Sequence, residues 1–475
     1  MSATVTTPRF KENAHEALGD ARLQRALHHA RNFVPRRAEA VARLPEFDAL
    51  RDSARDIKNH TLAHLDLYLE AYERKVEELG GHVHFARDAA EARRIFLDLC
   101  KAHGAKAVTK GKSMIAEEIG LNHALEAAGI EPVETDLGEY IIQLRHETPS
   151  HILAPAIHLR AKDVEEEFRK AHRDLPADRN LAEPEQLLAE ARQVLRAKFL
   201  TADVGITGAN FLIAETGTSI IVTNEGNGDL TQILPQAHIV IASIEKIVPT
   251  LEDAAQLLRV LARSATGQDA SVYTTLSTGP RRPGDPDGPR AYHVVILDNG
   301  RSAMLGGQFE DMLRCIRCGA CMNHCPVYQA VGGHAYGWVY PGPMGAVLTP
   351  SLIGVAEGGQ LPNASTFCGR CEEVCPVRIP LPGMMRHWRE REFERRLSPA
   401  PLRYGLGFWA FFASRPALYR LATGLAARAM HLAGRGKGRF SWLPFAGGWT
   451  RYRDLAAPEG STFQSQWRAR SGAVR

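Results

Sequence analysis

The spacing of apolar residues along the chain predicts a helical arm followed by an α/β domain. Up to about Gly80, apolar residues recur every three or four positions within long stretches free of Gly and Pro, which is typical of amphipathic helices. From His82 the pattern changes to short apolar strands that alternate with helices, as in a mostly parallel sheet with crossover helices. The alternation ends near Asn299. The sequence therefore predicts a helical arm over residues 1–80 and an α/β domain over residues 81–300.

The remainder of the chain divides into a cysteine-rich segment, residues 301–397, and a basic C-terminal region, residues 398–475. From Arg378 onward, 18 Lys and Arg residues stand against 5 Asp and Glu residues, so the positive charge is concentrated at one end. A basic region suits nucleic acid, an anionic membrane surface, an acidic partner protein or the acidic body of the same chain. We expect protein partners and no nucleic acid.

Neither end of the chain carries a predicted membrane anchor. The longest uncharged run in the apolar part of the C-terminal region, Tyr404 to Ser414, has 11 residues, whereas a spanning helix needs about 20. We therefore expect no transmembrane segment, with peripheral membrane contact as the remaining alternative. The N-terminus lacks the apolar core of a secretory signal and carries an acidic residue, Glu12, early. These features predict a cytoplasmic protein, whose cysteines stay reduced.

Seven of the eight cysteines form two runs, which are the most specific motif in the chain. The first run reads C-x2-C-x2-C-x3-C-P and consists of Cys315, Cys318, Cys321 and Cys325. The second, also followed by Pro, consists of Cys368, Cys371 and Cys375. In bacterial iron–sulfur proteins with this spacing, closely spaced thiolates bind one cluster and the fourth Cys binds the other. By position, the first cluster would be held by Cys315, Cys318, Cys321 and Cys375, and the second by Cys325, Cys368 and Cys371.

The second ligand set is one thiolate short. The missing Cys would lie three residues before Cys368, where the chain has Ser365. The second cluster is therefore a [4Fe-4S] cluster with a non-Cys ligand or an open iron, or else a [3Fe-4S] cluster, and Ser365 is the candidate fourth ligand. Zinc bound by C-x2-C pairs is the alternative. Seven cysteines with two C-P endings exceed what one zinc ion uses, so the pattern favours two iron–sulfur clusters.

Lys110, Lys112 and Ser113 lie where a predicted strand meets a helix, a position at which backbone N–H groups can bind an anion. A complete phosphate loop of the G-x4-G-K-[ST] kind would need Gly at position 106, and the chain has Lys106 there. A helix-capping turn with Ser113 as N-cap explains the same residues. The turn therefore has two possible interpretations, an anion-binding site and a helix cap.

Two glutamates, Glu215 and Glu225, mark a second candidate edge of the α/β domain. Both lie in turns rich in Gly, Thr or Asn at the ends of predicted strands, where ligands collect in such folds. Turn formation alone also selects Gly and Asn at these positions. The pattern thus predicts a substrate edge without fixing its chemistry.

The complete order of elements resembles the lactate-utilisation protein B family over nearly the whole chain. The resemblance is carried by the Lys110-Gly-Lys-Ser113 and Glu215-Thr-Gly-Thr218 turns, by both cysteine runs, and by the segment Tyr340-Pro-Gly-Pro-Met-Gly-Ala-Val-Leu-Thr-Pro350 between them. It implies an α/β domain similar to the sugar-phosphate isomerase and CoA-transferase fold, an α-helical dicluster ferredoxin domain with two [4Fe-4S] clusters, and a helical basic C-terminal region. The seven cysteines named above take the ligand roles.

The resemblance also implies a function. The chain would be the electron-transfer subunit of a three-component, L-lactate dehydrogenase-type system that oxidises L-lactate to pyruvate in the bacterial cytoplasm, with the other subunits as its partners. It identifies neither a catalytic residue in the α/β domain nor the electron acceptor.

Two other functions are compatible with the residues. In the first, the α/β domain is a transferase or isomerase acting on a CoA ester or phosphorylated acid, with Glu215 or Glu225 as nucleophile or base and the clusters regulatory. The chain lacks a complete phosphate or dinucleotide motif, which weighs against this function and places hydride chemistry in another protein. In the second, the chain is a scaffold whose basic C-terminal region recruits partner subunits.

Overall fold

The computed structural model describes residues 5–444, 446–450 and 453–472. It divides into two units, Met1–Glu392 and Phe393–Arg475. The first unit contains the helical arm, the α/β body and all eight cysteines, and the second contains the basic C-terminal region.

The arm is helical, as its apolar periodicity predicts. After a short 3-10 helix at Thr7–Arg9, helices α1 to α5 span Phe10–Gly19, Ala21–Ala30, Phe33–Ala42, Phe47–Ala63 and Leu65–Glu78. Helix α5 buries Tyr72 and Val76 in the cluster that covers one face of the large sheet. Helix α4 buries Phe47 and Leu50 in the core shared with the cysteine-rich segment.

Arginines of the arm bind the main chain of the second cysteine run. The Arg51 guanidinium donates to the carbonyl oxygen of Cys375 at 3.0 Å, and Arg37 donates to that of Val374 at 3.0 Å. Charged hydrogen bonds of this kind contribute more than neutral ones. The arm therefore helps to position the cysteine-rich segment.

Ten strands, β1 to β10, follow the arm. They span His82–Ala86, Ala107–Gly111, Glu131–Glu134, Val204–Gly208, Phe211–Ile213, Thr218–Thr223, Ala237–Ser243, Ile247–Val248, Tyr273–Ser277 and Ala291–Leu297. Helices α6 to α13 connect them and span Ala89–Ala102, Met114–Glu118, Leu121–Ala127, Leu137–Leu144, Ala161–Ala171, Pro184–Thr201, Asn227–Ile233 and Leu251–Ala265. This alternation of strand and helix confirms the predicted α/β class.

Six of these strands form a parallel sheet in the order β1-β10-β7-β4-β2-β3. The central strands β4 and β7 are buried along their whole length because both faces of the sheet are covered: one face packs on Phe96 and Ile119, and the other on Tyr72 of α5. In a parallel sheet all carboxyl ends lie at one edge. Strands β2, β4 and β7 thus end side by side, at Gly111, Gly208 and Ser243.

A second, smaller sheet has the order β8-β5-β6-β9. Strand β6 pairs antiparallel with β5 and with β9, and β5 pairs parallel with β8. The small sheet buries Phe211, Ile213 and Ile220 in the core that includes the cysteine-rich segment. The small sheet therefore packs against the cysteine-rich segment.

The cysteine-rich segment consists of short helices, α14 to α19, which span Ala320–Asn323, Pro326–Val331, Gly342–Ile353, Val355–Gly358, Arg370–Glu373 and Leu381–Glu394. Further 3-10 helices of the first unit lie at Ile244–Lys246, Ser302–Met304, Glu310–Arg314, His334–Tyr336 and Leu361–Asn363. This segment shares its hydrophobic core with α4 and α13, so it is packed on the α/β body.

The second unit is mainly helical. Helices α20 to α23 span Ala400–Ala413, Pro416–Gly434, Gly447–Thr450 and Phe463–Gly472, and a two-stranded antiparallel ribbon pairs Arg439–Phe440 with Leu455–Ala456. Within the described ranges, every helix is too short or too polar to cross a membrane.

Candidate metal centre and adjoining cavity

The four cysteines assigned by spacing to the first cluster line one cavity. Residues Cys315, Cys318, Cys321 and Cys375 converge there although 60 positions separate the first from the last. The rest of its wall is largely apolar and includes Met344, Ile379 and Leu381. Cys318, Cys321 and Cys375 are buried, and Cys315 is half-buried.

The three cysteines assigned to the second cluster line another cavity. Cys325, Cys368 and Cys371 meet there together with Ser365 and Thr366. Cys368 is the exposed member of the set. The structure therefore sorts the seven cysteines into the same two groups as the spacing does.

The backbone of the two runs repeats the same turn. In the first run Arg317 (φ 59°) and Gly319 (φ 71°) flank Cys318, and in the second Phe367 (φ 53°) and Gly369 (φ 81°) flank Cys368. Positive φ is costly for side chains other than Gly, so its presence at both Arg317 and Phe367 marks a constrained turn. Ser365 thus occupies the place in the second turn that Cys315 occupies in the first.

The two thiol cavities adjoin each other. Helix α14, which carries Cys321, packs on α18, which carries Cys371. The pKa of the Cys321 thiol is raised by burial first, then by Cys318 and Cys315, and then by Cys371 of the other group, which therefore lies close to it. Two clusters bound here would be neighbours, as electron transfer between them requires.

Burial disfavours free thiolates at both sites. It raises the pKa of Cys318 and that of Cys371 to about 12. Binding to a positive metal ion is what keeps such buried sulfurs deprotonated. Cys368 differs, because the N–H of Arg370 and then the Thr366 hydroxyl hold the pKa of its exposed thiol below the usual value.

The sulfurs also accept backbone hydrogen bonds. The Ile379 N–H donates to the Cys375 sulfur at 3.4 Å. Burial raises the pKa of Cys325, and the N–H groups of Tyr328 and Val327 act in the opposite direction. Hydrogen bonds to cysteine sulfur are among the groups that tune cluster potentials. Grouped thiols, apolar walls and N–H donors together fit iron–sulfur clusters.

Ser365 lines the second cavity as the missing ligand would, and it also has a structural contact. Its Oγ accepts a hydrogen bond from the Phe367 N–H at 3.1 Å. The same oxygen retains a further lone pair. Ligation by Ser365 stays a prediction.

A buried network of charges lies beside the first thiol cavity. The Arg301 and Glu118 side chains are fully buried, with Nη2 2.6 Å from Oε2, and Tyr340 donates to the same oxygen at 2.6 Å. Glu245 lies 3.1 Å from Arg301 and 3.1 Å from Arg317. Burial alone would raise the pKa of Glu245, but Arg301 and then Arg317 outweigh it and lower this pKa to about 2.

A cavity of about 150 Å³ opens at the carboxyl edge of the parallel sheet. Lys112 and Ser113, from the turn after β2, lie on its wall, with Asp136 and Glu139 beside them. The turn that carries Lys112 packs closely on the end of β4. A glycine, Gly208, is needed there, because a Cβ would lie 2.4 Å from the Lys112 carbonyl oxygen.

The three residues of the predicted anion-binding turn have different environments. Lys110 is buried in ion pairs with Glu134 at 2.6 Å and Glu117 at 2.9 Å and does not line the cavity. The Lys112 ammonium pairs with Asp136 at 2.9 Å. Ser113 caps α7, its Oγ accepting from the Ala116 N–H at 3.1 Å, as the capping interpretation predicts.

Glu215 and Glu225 do not form one edge. Strand β6 (Thr218–Thr223) runs between them, so Glu215 precedes its first residue and Glu225 follows its last. Six extended residues span about 20 Å, which places the two carboxylates at opposite ends of the strand. Loss of solvent, and then the Asp136 carboxylate, raise the pKa of Glu225, which lies near the cavity.

Sequence reasoning missed the charged residues between this cavity and the first thiol cavity. Arg317 lines both cavities, and Lys246 lines the 150 Å³ cavity. Burial lowers the pKa of Lys246 to about 7, and Arg317 acts in the same direction. The available signal was Glu245-Lys246, a charged pair that begins two residues after the end of strand β7.

Three family matches cover most of the chain. The LUD domain matches residues 69–297, the 4Fe-4S dicluster domain residues 311–379, and the family described as lactate utilisation protein B, C-terminal, residues 403–472. The dicluster match and the two groups of thiols agree that the chain carries two iron–sulfur clusters.

Full-length relatives are similar over almost all of the chain. Lactate utilization protein B of Bacillus licheniformis is 43% identical (98% of this chain, 97% of the relative), and that of Bacillus subtilis is 41% identical (100% and 99%). The uncharacterized electron transport protein YkgF of Escherichia coli is 41% identical (98% and 97%). The solved structure of a DUF162 family protein from Deinococcus radiodurans is 16% identical to this chain. The match covers 49% of this chain and 98% of the Deinococcus chain, with a TM-score of 0.27, which is too low to assign the fold. The full-length similarity shows that the chain belongs to the lactate utilization protein B family.

Proposed function

We propose that the chain is the iron–sulfur electron-transfer subunit of a multi-subunit system that oxidises L-lactate to pyruvate. The observation that carries this proposal is the pair of adjoining thiol-lined cavities. Iron–sulfur clusters, when bound, supply one-electron steps. The names of the relatives support the link to lactate, and the name of the Escherichia coli relative supports electron transport.

The seven cysteines are the proposed ligands, in the two groups that share a cavity. The first cluster is assigned to Cys315, Cys318, Cys321 and Cys375. The second is assigned to Cys325, Cys368 and Cys371, with Ser365 as fourth ligand or with one iron open.

The surroundings of the two sites suggest different roles. The first lies against the α/β body and is enclosed by apolar side chains such as Met344 and Leu381, which exclude water. The second has the exposed Cys368, with Thr366 exposed beside it. The second site is therefore the proposed point of electron exchange with a partner subunit. The first site is the one nearest the α/β body.

The proposed organisation keeps the four sequence segments, 1–80, 81–300, 301–397 and 398–475. The domain matches fall at 69–297, 311–379 and 403–472, in line with this division. Likeness of the α/β segment to the sugar-phosphate isomerase and CoA-transferase fold is proposed on the parallel sheet and the family resemblance. A cytoplasmic location and association with other subunits of a lactate-utilisation complex complete the proposal.

The test is lactate-dependent reduction of the clusters in the assembled complex. The chain is co-expressed with the proposed partner subunits, purified without oxygen, and examined by EPR before and after L-lactate is added. We expect signals of reduced clusters with L-lactate and none in a matched sample without it. Pyruvate formation at full rate while the iron-loaded chain stays oxidised would contradict the proposal.

Cys371→Ser is the matched variant for this experiment. It removes a proposed ligand of the second cluster, and we expect it to interrupt transfer to the acceptor while the first cluster is still reduced. Cys100→Ser serves as control, because Cys100 is buried in the α/β core far along the chain from either run.

A further inference from the structure

The cavity at the carboxyl edge of the parallel sheet contains a buried lysine, Lys246, that no described carboxylate pairs with. Lys246 is 5% exposed and lines this cavity. Its neighbour Glu245 gives its carboxylate to Arg301 and Arg317. Within the described part of the chain, the Lys246 ammonium has neither a hydrogen bond nor an ion pair. An ammonium buried without a partner is unfavourable unless something else compensates its charge.

Arg317 adds further unused donors at the same place. One nitrogen, Nη2, lies 3.1 Å from Glu245, while Nε is buried with no hydrogen-bond partner in the described structure. The guanidinium lies over the Tyr340 ring at 5.1 Å, which fixes its plane. A planar guanidinium with free N–H groups is suited to bind a carboxylate.

The charged groups on the opposite wall of the cavity have polar partners within the protein. The Lys112 ammonium pairs with Asp136 at 2.9 Å, and the Lys112 N–H donates to Glu139 at 3.1 Å. Among the described charged residues on the wall, Lys246 is therefore the one left without a partner. The cavity has one cationic side, which suits a ligand with a single negative charge better than a phosphate monoester.

The size of the cavity and its other lining residues further limit which ligands it can hold. Its volume of about 150 Å³ is similar to that of an engineered protein cavity that binds benzene, so the ligand is a small molecule. Ile152, Leu153 and Leu261 supply apolar surface for a short carbon chain. The Asn210 Oδ1 accepts from the Val222 N–H at 2.9 Å, which leaves the Asn210 amide N–H groups to donate to a hydroxyl or oxo oxygen.

We propose that Lys246 and Arg317 bind the carboxylate of a small 2-hydroxy or 2-oxo acid in this cavity, next to the first cluster. Ile152 and Arg317 line both this cavity and the one formed by Cys315, Cys318, Cys321 and Cys375, so a bound acid would lie one side chain away from the cluster site. The inference rests on the proposed function for the choice of an acid of lactate size, and it extends that function by placing an acid site in this chain.

A rival explanation is that the cations only balance the negative charge of the first cluster. Lys58 separates the two explanations, because it is buried in the same charge network and its ammonium donates to the carbonyl oxygens of Glu245 and Ile247. Lys58 does not line the cavity. Loss of Lys58 should disturb a charge-balancing role as much as loss of Lys246, and should leave acid binding intact.

The test is equilibrium binding to the full-length, anaerobically purified holoprotein, measured by calorimetry with L-lactate and with pyruvate. We expect one site per chain, and at least tenfold weaker binding in Lys246→Met and Lys246→Gln than in the unaltered protein. Lys58→Met should bind within threefold of the unaltered protein. Ala262→Leu, which fills the cavity from α13 without changing charge, should also lose binding. Iron content and melting temperature establish that each variant is folded.

Absence of binding in the unaltered protein, or equal affinity in Lys246→Met, Lys246→Gln and Lys58→Met, would overturn the inference. So would competition by inorganic phosphate at the same concentration as the acids. Binding is measured without turnover, so its result does not depend on lactate-dependent reduction of the clusters. The acid can bind although electron transfer fails, and electron transfer can occur although the acid does not bind to this chain.

Discussion

Replacement of Arg301 by Met should destabilise the first unit strongly, because it leaves buried carboxylates without their cation. The Arg301 and Glu118 side chains are both 0% exposed, and their closest atoms are 2.6 Å apart. Glu245, with a side chain 2% exposed, lies 3.1 Å from the same guanidinium. Water cannot take over the role of the arginine at this depth.

The magnitude follows from the depth of the pair. Removal of one partner from a buried ion pair costs about 3–5 kcal/mol. The first unit, Met1–Glu392, is large, and at about 2.1 cal/mol/K of unfolding entropy per residue each kcal/mol lowers its melting temperature by roughly 1.2 °C, so a decrease of roughly 4–6 °C is expected. The Arg301→Met, Glu118→Gln double variant should recover part of this loss, because its remaining side chain at position 118 is uncharged.

The assay is thermal unfolding of the anaerobic holoprotein, with Arg259→Met as control. Arg259 pairs with Glu46 at 2.8 Å, but the two side chains are 46% and 50% exposed, and such surface pairs contribute only about 0.2–1 kcal/mol. Equal melting temperatures for Arg301→Met and Arg259→Met would refute the argument that burial makes the Arg301 pair indispensable.

Three further predictions concern the cysteine-rich segment, the C-terminal unit and the effect of pH. Ser365→Ala should change the EPR spectrum of the second cluster and leave the first unaltered; an unchanged spectrum removes Ser365 from the ligand set. Truncation after Arg396 should leave iron and sulfide content unchanged, because all the cysteines belong to the first unit; loss of iron would show that the second unit supports the clusters. Burial lowers the pKa of His238 to about 3. The His238 imidazole therefore stays neutral in the folded state, whereas in the unfolded state it takes up a proton below about pH 6.5. Stability is therefore lost as pH falls from 6.5 toward 3, by about 2 kcal/mol at pH 5. His238→Gln should show a smaller decrease in melting temperature between pH 7 and pH 5, and an identical decrease would contradict the assignment.

The parts of the structure that follow local rules were predictable. The three- and four-residue periodicity gave the arm helices, and the alternation of apolar strands gave the parallel sheet. Cysteine spacing predicted which thiols share a cavity, because each C-x2-C turn is local and the exchange of the final Cys between the two groups is typical of the motif. The role of Ser113 as a helix cap was predictable for the same reason.

The missed features depend on contacts between distant positions. Glu118 and Arg301 are 183 positions apart, and Lys246 meets Arg317 only because the cysteine-rich segment packs on the carboxyl edge of the sheet. No periodicity in the sequence encodes such pairs. The prediction that Glu215 and Glu225 lie at one edge of the domain was wrong for a related reason. The sequence showed two turns, but strand β6 runs between them and places the two glutamates at its opposite ends.

The central claim, that the seven cysteines bind two neighbouring iron–sulfur clusters, is tested most directly by metal analysis of the full-length chain purified without oxygen. Iron and acid-labile sulfide per chain are measured together with EPR spectra before and after reduction. We expect about eight iron atoms for two [4Fe-4S] clusters, or about seven if the second is [3Fe-4S], with equivalent sulfide and with spectra of two interacting centres. Zinc in place of iron, with no sulfide, would contradict the claim.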